Sequence, residues 1–398
     1  MFKHLFKLIW NKKKQNFLLI TEMFVSFLVL FAVFSMVVYF YQNYKKPAGF
    51  DYNDVWVATF SMPEHLQSND SVNLFAEAMR NSLKSMPEIK ELSFTSMNVP
   101  FSMSTNGTSV SSQQKPRVHT NIFEVEPTYK DVLSIHMVEG RWFQKGDHVA
   151  KLRPVVLNQK LKEELFGSEP ALGKTLGEEN YKTGQFEDRF KVIGVVQNLK
   201  ETGDYQAIES GVYRGMDSGG LRWNNTILLK VQPGADAAFE SRLFKTLSNM
   251  TGTSIEIEHL EKKRITKNKL ALVPMIIMLI VGGFLIINVA MGLFGVLWYN
   301  INKRRGEIGL RRAIGASGSA VSKQLIGEAM VLSTMALIVG SFFAVQFPLL
   351  HVFDLPASVY VAAILLAIVF IYLLVFVCAL YPGKQAAAIY PAVALHEE

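Results

Sequence analysis

Residues 270–302 read LALVPMIIMLIVGGFLIINVAMGLFGVLWYNIN, a run of 33 positions without a charged side chain. A helix crosses the apolar core of a bilayer with about 20 apolar residues, whereas apolar runs of about 10–14 residues are typical of buried core helices. This run is long enough to span a membrane. It therefore predicts an integral membrane protein, and the rest of the chain can be placed around it.

Three further stretches have the same apolar character: residues 23–44, 329–353 and 355–383. We predict four transmembrane helices, over residues 17–44, 270–300, 325–350 and 355–381. The first has a basic start like that of a signal peptide, but its apolar run exceeds the about 7–15 residues of such a peptide. Bulky Tyr39, Phe40 and Tyr41 also stand where cleavage needs small residues, so we expect an uncleaved anchor.

Basic side chains assign the orientation of these spans. Residues 1–22 carry five lysines and residues 303–328 carry six basic side chains, but residues 348–356 carry none. Lysine and arginine accumulate on the cytoplasmic side of membrane proteins. The sequence therefore predicts that both termini are cytoplasmic and that residues 45–269 lie on the outer side.

The segments between the spans complete this topology. We predict an amphipathic helix over residues 1–16 on the inner membrane surface, a cytoplasmic loop over 301–324 and a cytoplasmic tail over 382–398. Residues 45–269 hold 29 basic and 28 acidic side chains, so the net charge of +7 comes almost entirely from the rest of the chain. Topology explains this basic excess, and no nucleic-acid partner is predicted.

Residues 45–269 have the patterns of a mixed domain with its own core. Alternating apolar residues predict strands over 55–60, 155–157, 191–196 and 226–231. Helical spacing predicts helices over 71–86, 161–166 and 235–250. We expect an α+β domain of two subdomains inserted between the first two spans. Residues 102–114 suggest a loop or an edge hairpin, and the charge-rich residues 259–269 suggest a helix with a solvated face that runs into the second span.

The sequence shows no catalytic constellation. The single cysteine, Cys378, excludes an intrachain disulfide, and the eight histidines have no metal-binding spacing. Residues 167–175 resemble a phosphate-binding loop, but five residues instead of four separate the glycines, and a helical pattern precedes them. We interpret this segment as a turn, and we predict neither a cofactor, nor a metal, nor an enzymatic activity.

The informative motif lies between the second and third spans, at residues 304–316. Leu310, Ala313 and Ile314 share one helical face. Glu307 and Arg311 form an i, i+4 pair worth about 0.2–0.5 kcal/mol, and a glycine such as Gly315 can end a helix. This short basic amphipathic helix could lie on anionic lipid headgroups or dock into a cytoplasmic partner. The residues alone leave both readings open.

Residues 307–316, EIGLRRAIGA, resemble the signature loop of FtsX-like/MacB-type ABC transporter permeases. Three other segments are similar to segments of that family in the same order. They are GRWF at 140–143, the segment 155–196 with its LFG and GKTL sequences, and the tail 381–395 with its proline and alanine pattern. The predicted topology also matches, so the chain is identified as a member of this family.

The resemblance implies the partners of the protein. It implies a bacterial inner-membrane permease that pairs with a second permease, as a homodimer or a paralogous heterodimer, and with a dimer of a separate ATPase subunit. Residues 45–269 would be a MacB-like periplasmic domain, and a periplasmic adaptor and an outer-membrane channel are further expected partners. The residues expected to couple to the ATPase are Arg305, Glu307, Ile308, Leu310, Arg311, Arg312, Ile314 and Gly315.

Two functions fit this resemblance. The first is a mechanotransmission (type VII) transporter that exports peptide-, antibiotic- or lipoprotein-like cargo. The second is a non-transporting regulator that activates an envelope enzyme such as a cell-wall hydrolase. The spans hold few polar side chains, so we expect cargo to be handled outside the membrane core. The large outer domain favours export.

Overall fold

The computed structural model describes residues 13–103, 105–112, 117–144, 146–147, 150, 152–179, 186–216 and 220–389. The chain divides into two compact units. The membrane unit comprises residues 1–42 and 273–398, and the inserted domain comprises residues 43–272. Each unit is described by itself below.

The helices are α1 (Lys13–Tyr44), α2 (Asn69–Lys84), α3 (Tyr129–Val132), α4 (Gln159–Phe166), α5 (Ala237–Thr251), α6 (Leu260–Lys303), α7 (Arg305–Ala313), α8 (Gly318–Leu349) and α9 (Ala357–Ala387). The strands are β1 (Val55–Thr59), β2 (Ile89–Thr95), β3 (Gly107–Ser111), β4 (Val118–Val125), β5 (Met137–Gly140), β6 (Arg153–Asn158), β7 (Thr175–Glu179), β8 (Phe186–Val196), β9 (Gly211–Gly215), β10 (Thr226–Val231) and β11 (Glu256–His259). Short 3-10 turns cover Gly220–Arg222 and Val352–Asp354.

In the described part of the chain, four helices are long and apolar enough to cross a membrane: α1, α6, α8 and α9. They match the four predicted spans. Helices α1, α8 and α9 share one core, in which Phe27 packs under Gly340 and close helix contact is made through small residues such as Ala336 and Ala363. Small residues at such contacts let helices approach closely where lipid supplies no hydrophobic driving force. Helix α6 is the least buried of the four.

Helix α6 begins at Leu260, whereas the predicted span begins at residue 270. The charged residues 260–269 continue the same helix, as expected from the sequence. The predicted strands and helices of the inserted domain are also confirmed, with end differences of a few residues. These elements could be predicted because each has its own local periodicity of apolar residues.

Eleven strands of the described residues form one sheet in the order β11-β1-β10-β2-β4-β3-β7-β8-β6-β9, with β5 added on β8. The sheet has two parts. The first part contains β11, β1, β10 and β2, and the second contains the other strands. A single residue pair, Thr95 with Val125, joins β2 to β4 between the parts. This mixed arrangement confirms the predicted α+β class.

Each part of the sheet has its own helical layer. In the first part, Met79 of α2 and Phe239 and Leu243 of α5 pack on Trp56 of β1. In the second part, α4 covers the strands with Leu161 and Leu165. The N-terminus of α4 is capped by Asn158, whose Oδ1 accepts from the Leu161 amide at 2.9 Å. These layers fix the strand ends that surround the sites described below.

The prediction for residues 102–114 is wrong in one respect. Strand β3 is not at an edge, because it pairs with β4 on one side and with β7 on the other. The serine and threonine residues of this segment favoured a loop or an edge position, yet Ser109 and Val110 are buried. The prediction of a turn over 167–175 is confirmed, since Gly167 follows α4 and the chain enters β7 at Thr175.

Candidate functional site

Helix α7 is held between two of the long helices by its flanking residues. Helix α6 ends at Lys303, α7 starts at Arg305, and Gly315 then takes a positive φ of 103° that L side chains rarely adopt. Ser317 caps α8, because its Oγ accepts from the Ala320 amide at 3.2 Å. The predicted coupling helix is thus a separate short helix of nine residues.

The inner face of α7 is anchored by Ile308. This side chain is only 3% exposed and packs with Ile301 of α6, Val321 of α8 and Ala386 of α9. Burying an isoleucine stabilises a structure by about 1.5–3 kcal/mol. Ile308, one of the residues predicted to couple to the ATPase, thus faces the three long helices rather than solvent.

A network of charged side chains ties α7 to its neighbours. Arg311 Nη2 lies 2.5 Å from Glu307 Oε1, which is the pair predicted from the sequence. Arg304 Nε donates to Glu307 at 2.9 Å, and its Nη1 donates to Glu328 of α8 at 2.8 Å. Gln324 of α8 accepts from Arg311 Nη1 at 2.9 Å. The pair of Arg304 with Glu328 is largely shielded from solvent, whereas that of Arg311 with Glu307 is exposed.

Arg304 and Glu328 were missed by sequence reasoning. The hydrogen bond to Glu307 and the charge of Glu328 raise the pKa of Arg304 above its ordinary value, although burial opposes this. Arg304 therefore stays charged across the accessible pH range. A sequence signal existed, because Glu328 is the only acidic residue of α8. Its partner could not be identified from spacing, since Arg304 lies between α6 and α7, 24 residues away in the sequence.

The outer face of α7 is apolar and unusually exposed. Leu310 is 54% and Ile314 is 79% exposed, and Ala313 beside them is also exposed. Arg312 lies at the rim, where its Nη1 donates to the carbonyl oxygen of Ala387 at the end of α9 at 3.0 Å. Of the other predicted coupling residues, Gly315 is exposed and Arg305 is half-buried. The helix therefore presents a fixed apolar face bordered by ion pairs.

A face of this kind is suited to binding a partner rather than to chemistry. Exposed large apolar side chains with a polar border mark protein or membrane contact sites. Within the described residues, no group of three histidine, cysteine or acidic side chains could hold a metal ion.

A second cluster lies in the inserted domain, at the segment 200–205. We call it the helix clasp and define it as Lys200 and Asp204 with their partners. Lys200 is 2% exposed, and its Nζ donates to the carbonyl oxygens of Asn43 at 2.7 Å and Lys46 at 3.2 Å. The Asn43 carbonyl belongs to the last turn of α1, where helices have unsatisfied acceptors and a partial negative charge, and Lys46 follows the helix by two residues. Burial lowers the pKa of Lys200, although Asp204 opposes this.

Asp204 binds the first turns of α6. Its Oδ2 lies 2.7 Å from Arg264 Nη2 and accepts from Asn268 Nδ2 at 2.7 Å, while its backbone amide donates to Asn268 Oδ1 at 2.9 Å. Lys267 Nζ donates to the Ser102 carbonyl oxygen at 2.7 Å. The interpretation of residues 259–269 as a solvated face holds for the exposed Glu261, Lys262 and Lys269, but Arg264 and Lys267 instead contact the rest of the domain.

Both helices that enter the inserted domain are thus bound by one short segment. Lys200 holds the end of α1 and Asp204, four residues later, holds the start of α6. Stacking of Tyr44 on Tyr205, with ring centroids 5.6 Å apart, adds to the contact with α1. Sequence reasoning missed this cluster, because no local pattern links its members.

Two family models match the chain. The model described as MacB-like periplasmic core domain matches residues 18–243, and the one described as FtsX-like permease C-terminal matches residues 278–391. The matches together cover most of the chain. The protein therefore belongs to the family of FtsX-like permeases with a MacB-like periplasmic core domain.

Known proteins with similar sequences carry related names. The chain is 22% identical over 70% of its length to a macrolide export ATP-binding/permease protein MacB of Bdellovibrio bacteriovorus, and it spans 44% of that protein. It is 23% identical over 81% of its length to YvrN, an uncharacterized ABC transporter permease of Bacillus subtilis, and it spans 79% of it. The chain thus spans less than half of its MacB relative.

Solved structures of related outer regions also match. The periplasmic region of MacB from Actinobacillus actinomycetemcomitans matches 56% of the chain with 17% identity and a TM-score of 0.37. The extracellular domain of the noncanonic ABC-type transporter YknZ from Gram-positive bacteria matches 51% with 16% identity and a TM-score of 0.36.

Proposed function

We propose that the protein is the permease subunit of a mechanotransmission ABC transporter and that a separate subunit hydrolyses ATP. The observation that carries this proposal is the outer face of α7, where Leu310 and Ile314 are exposed on a helix that is anchored from within by Ile308. Membership of the permease family supports it. On this proposal the protein lies in a bacterial inner membrane, with cytoplasmic termini and a periplasmic inserted domain.

The contacts of α7 explain how a partner could move the membrane helices. A groove in the ATPase would receive Leu310 and Ile314, and the ion pairs at the border would orient the contact. Arg304 and Ile301 connect this site to α6, Glu328 connects it to α8, and the Arg312 contact connects it to α9. Closure of the ATPase dimer would therefore act on three spans together.

The same motion would reach the inserted domain through covalent continuity. Helix α6 runs without interruption from Leu260 to Lys303. Its first turns are held by Asp204, and the end of α1 is held by Lys200. On this proposal a displacement of either helix moves the domain directly, and this movement drives export of a peptide-, antibiotic- or lipoprotein-like cargo.

A pull-down tests the proposal. The tagged full chain would be purified from detergent-solubilised membranes, and co-purifying proteins would be identified by mass spectrometry. We expect an ABC ATPase with the wild type, its loss with Ile314→Asp, and its retention with Leu172→Asp, which places the same change at an exposed leucine of the inserted domain. Absence of an ATPase from the wild-type sample would overturn the proposal.

The other co-purifying proteins distinguish the modes of action. An adaptor or an outer-membrane channel beside the ATPase would support export. A cell-wall hydrolase instead would replace export by regulation of an envelope enzyme. A second, paralogous permease would show a heterodimer, and its absence together with a two-copy mass would show a homodimer.

A further inference from the structure

A cavity of about 680 Å³ lies in the inserted domain. Helix α2 contributes one wall from the first part of the sheet. The ends of β4 and β9 and the start of β6 contribute the other from the second part. Small-molecule sites typically have about 300–1,000 Å³ and tend to lie where structural parts meet. The cavity therefore has the size and the position of a ligand site.

The floor of the cavity is apolar. Val125 and Phe143 are buried in the core of the domain, and Met216 and Leu221 complete this surface. The ring of Phe143 lies directly over Gly215, where an added Cβ atom would come within 3.3 Å of it. A preformed apolar floor favours a ligand with apolar side groups.

The rim of the cavity carries equal numbers of acidic and basic side chains: Glu77, Glu126 and Asp147 against Arg80, Lys84 and Arg153. Arg80 Nη2 lies 2.6 Å from Glu126 Oε1, and Arg80 Nε lies 3.4 Å from Glu77. The second oxygen of Glu126 accepts from the Phe94 amide at 2.8 Å. Asp147 binds both terminal nitrogens, Nη1 and Nη2, of Arg141, which does not itself line the cavity, at 2.7 Å. Because the lining charges balance, a ligand with a net charge would meet charges of its own sign as well as of the opposite sign.

These features select among ligand classes. A phosphorylated ligand would bring negative charge to a rim where three acidic side chains balance three basic ones, of which Arg80 and Lys84 already bind carboxylates. A lipid acyl chain would remove water from the ion pairs without replacing its hydrogen bonds, which is costly. A peptide backbone offers both donors and acceptors to such pairs, and its apolar side chains can fill the floor.

We propose that this cavity binds a short, uncharged peptide segment, with its apolar side chains on the floor and its backbone amides at the paired rim. The inference deepens the proposed function. It rests on that function only for the role of the bound peptide as cargo. The binding itself needs neither ATP nor the ATPase.

The test measures binding of N-acetyl-Leu-Phe-Leu amide to the full chain in lipid nanodiscs by isothermal titration calorimetry, with empty nanodiscs subtracted. Gln144→Trp and Leu221→Trp place a large side chain in the cavity. Gln144 is exposed, and the hydrogen bond from its backbone amide to Asp147 does not depend on its side chain. Leu172→Trp is the matched control at an exposed leucine that does not line the cavity.

We expect saturable binding to the wild type and to Leu172→Trp, and at least about tenfold weaker binding to the two cavity variants. The charged peptide N-acetyl-Asp-Phe-Asp amide should bind the wild type at least about tenfold more weakly, and this comparison needs no variant to fold. Absence of saturable binding to the wild type overturns the inference, as does equal binding of both peptides.

The result is separable from that of the pull-down. If an ATPase co-purifies but no peptide binds, the cavity assignment fails and the permease proposal stands. If the peptide binds but no ATPase is found, the permease proposal fails and the binding site stands.

Discussion

Two charged clusters of the molecule, the border of α7 and the helix clasp, use similar residues in opposite ways. At α7, the side chains of Arg311 and Glu307 are 38% and 42% exposed and lie beside the exposed Leu310 and Ile314. In the clasp, Lys200 is almost fully buried and the Asp204 side chain is 9% exposed. The first arrangement leaves a surface available for a partner. The second fixes two helices to a domain, so its loss should cost stability.

The largest effect is expected from Asp204→Ala. The change leaves Arg264 and Asn268 without their carboxylate, and removing one partner of a shielded ion pair costs about 3–5 kcal/mol. The thermal unfolding temperature and hydrogen exchange of residues 260–272 measure the effect in the full chain. Glu88→Ala, which breaks the exposed pair with Arg242, should cost less than about 1 kcal/mol. Equal effects of the two changes would contradict the buried role of the clasp.

A pH-dependent effect is expected within the same segment. Burial raises the pKa of Glu201 to about 8 from its ordinary value of 4.5, although the hydrogen bond from Tyr213 opposes this. Between these values the folded protein binds the proton and the unfolded chain does not, so stability falls as pH rises through this window. Glu201→Gln should remove this loss, so that the unfolding temperature of the variant no longer falls between its ordinary pKa of 4.5 and about 8. If the unfolding temperatures of the wild type and of Glu201→Gln change with pH in parallel, Glu201 does not cause this pH dependence.

A smaller loss is expected from Lys200→Met. The change keeps the length of the side chain but removes the Lys200 donor from the carbonyl oxygens of Asn43 and Lys46, of which Asn43 keeps the Lys46 amide; a buried acceptor left without its partner costs about 1–3 kcal/mol. It also removes a buried charge, and this gain offsets part of the cost. Hydrogen exchange at residues 40–46 should increase relative to Lys130→Met, a half-buried lysine paired only with its neighbour Asp131. Unchanged exchange would show that Lys200 does not hold the end of α1.

The smallest effect on stability is expected at the border of α7. Arg311→Glu breaks the half-exposed pair with Glu307, at a cost of about 0.3–0.5 kcal/mol, and adds a like-charge contact of similar size. Glu307→Lys also removes a carboxylate from Arg304, but Arg304 keeps its pair with Glu328, so the membrane unit should stay folded in both variants. Stimulation of the partner ATPase should nevertheless be lost. The measurement is ATP hydrolysis by the co-purified complex at equal expression. If both variants still stimulate the ATPase fully, Glu307 and Arg311 have no role in coupling.

In both regions, the sequence predicted the helices and strands but not the contacts that these elements make with their neighbours. Helix α7, its Glu307–Arg311 pair and its apolar face follow from spacing of three and four residues, which one helix determines by itself. The end of this helix near Gly315 could also be predicted locally, because glycine commonly ends helices. Ile308 was assigned to the partner surface because helical spacing identifies an apolar side chain. It does not show whether that side chain packs within the chain or against a partner protein.

Contacts across large sequence separations explain the remaining misses. Asp204 and Arg264 are brought together only by folding of the inserted domain, and Arg304 and Glu328 meet only when α6 and α8 pack. Strand β3 has a polar composition, and its interior position depends on its neighbours β4 and β7. Sheet order of this kind is a tertiary property and leaves no local signal.

Photo-crosslinking at α7 tests the central claim most directly, because it separates a partner protein from the membrane surface. A photoreactive p-benzoylphenylalanine would replace Ile314 in the full chain in cells, with Phe353 as the matched control, since both side chains are 79% exposed. The account predicts a crosslink to an ABC ATPase from position 314 and none from position 353. Crosslinks from position 314 to lipid alone would contradict it.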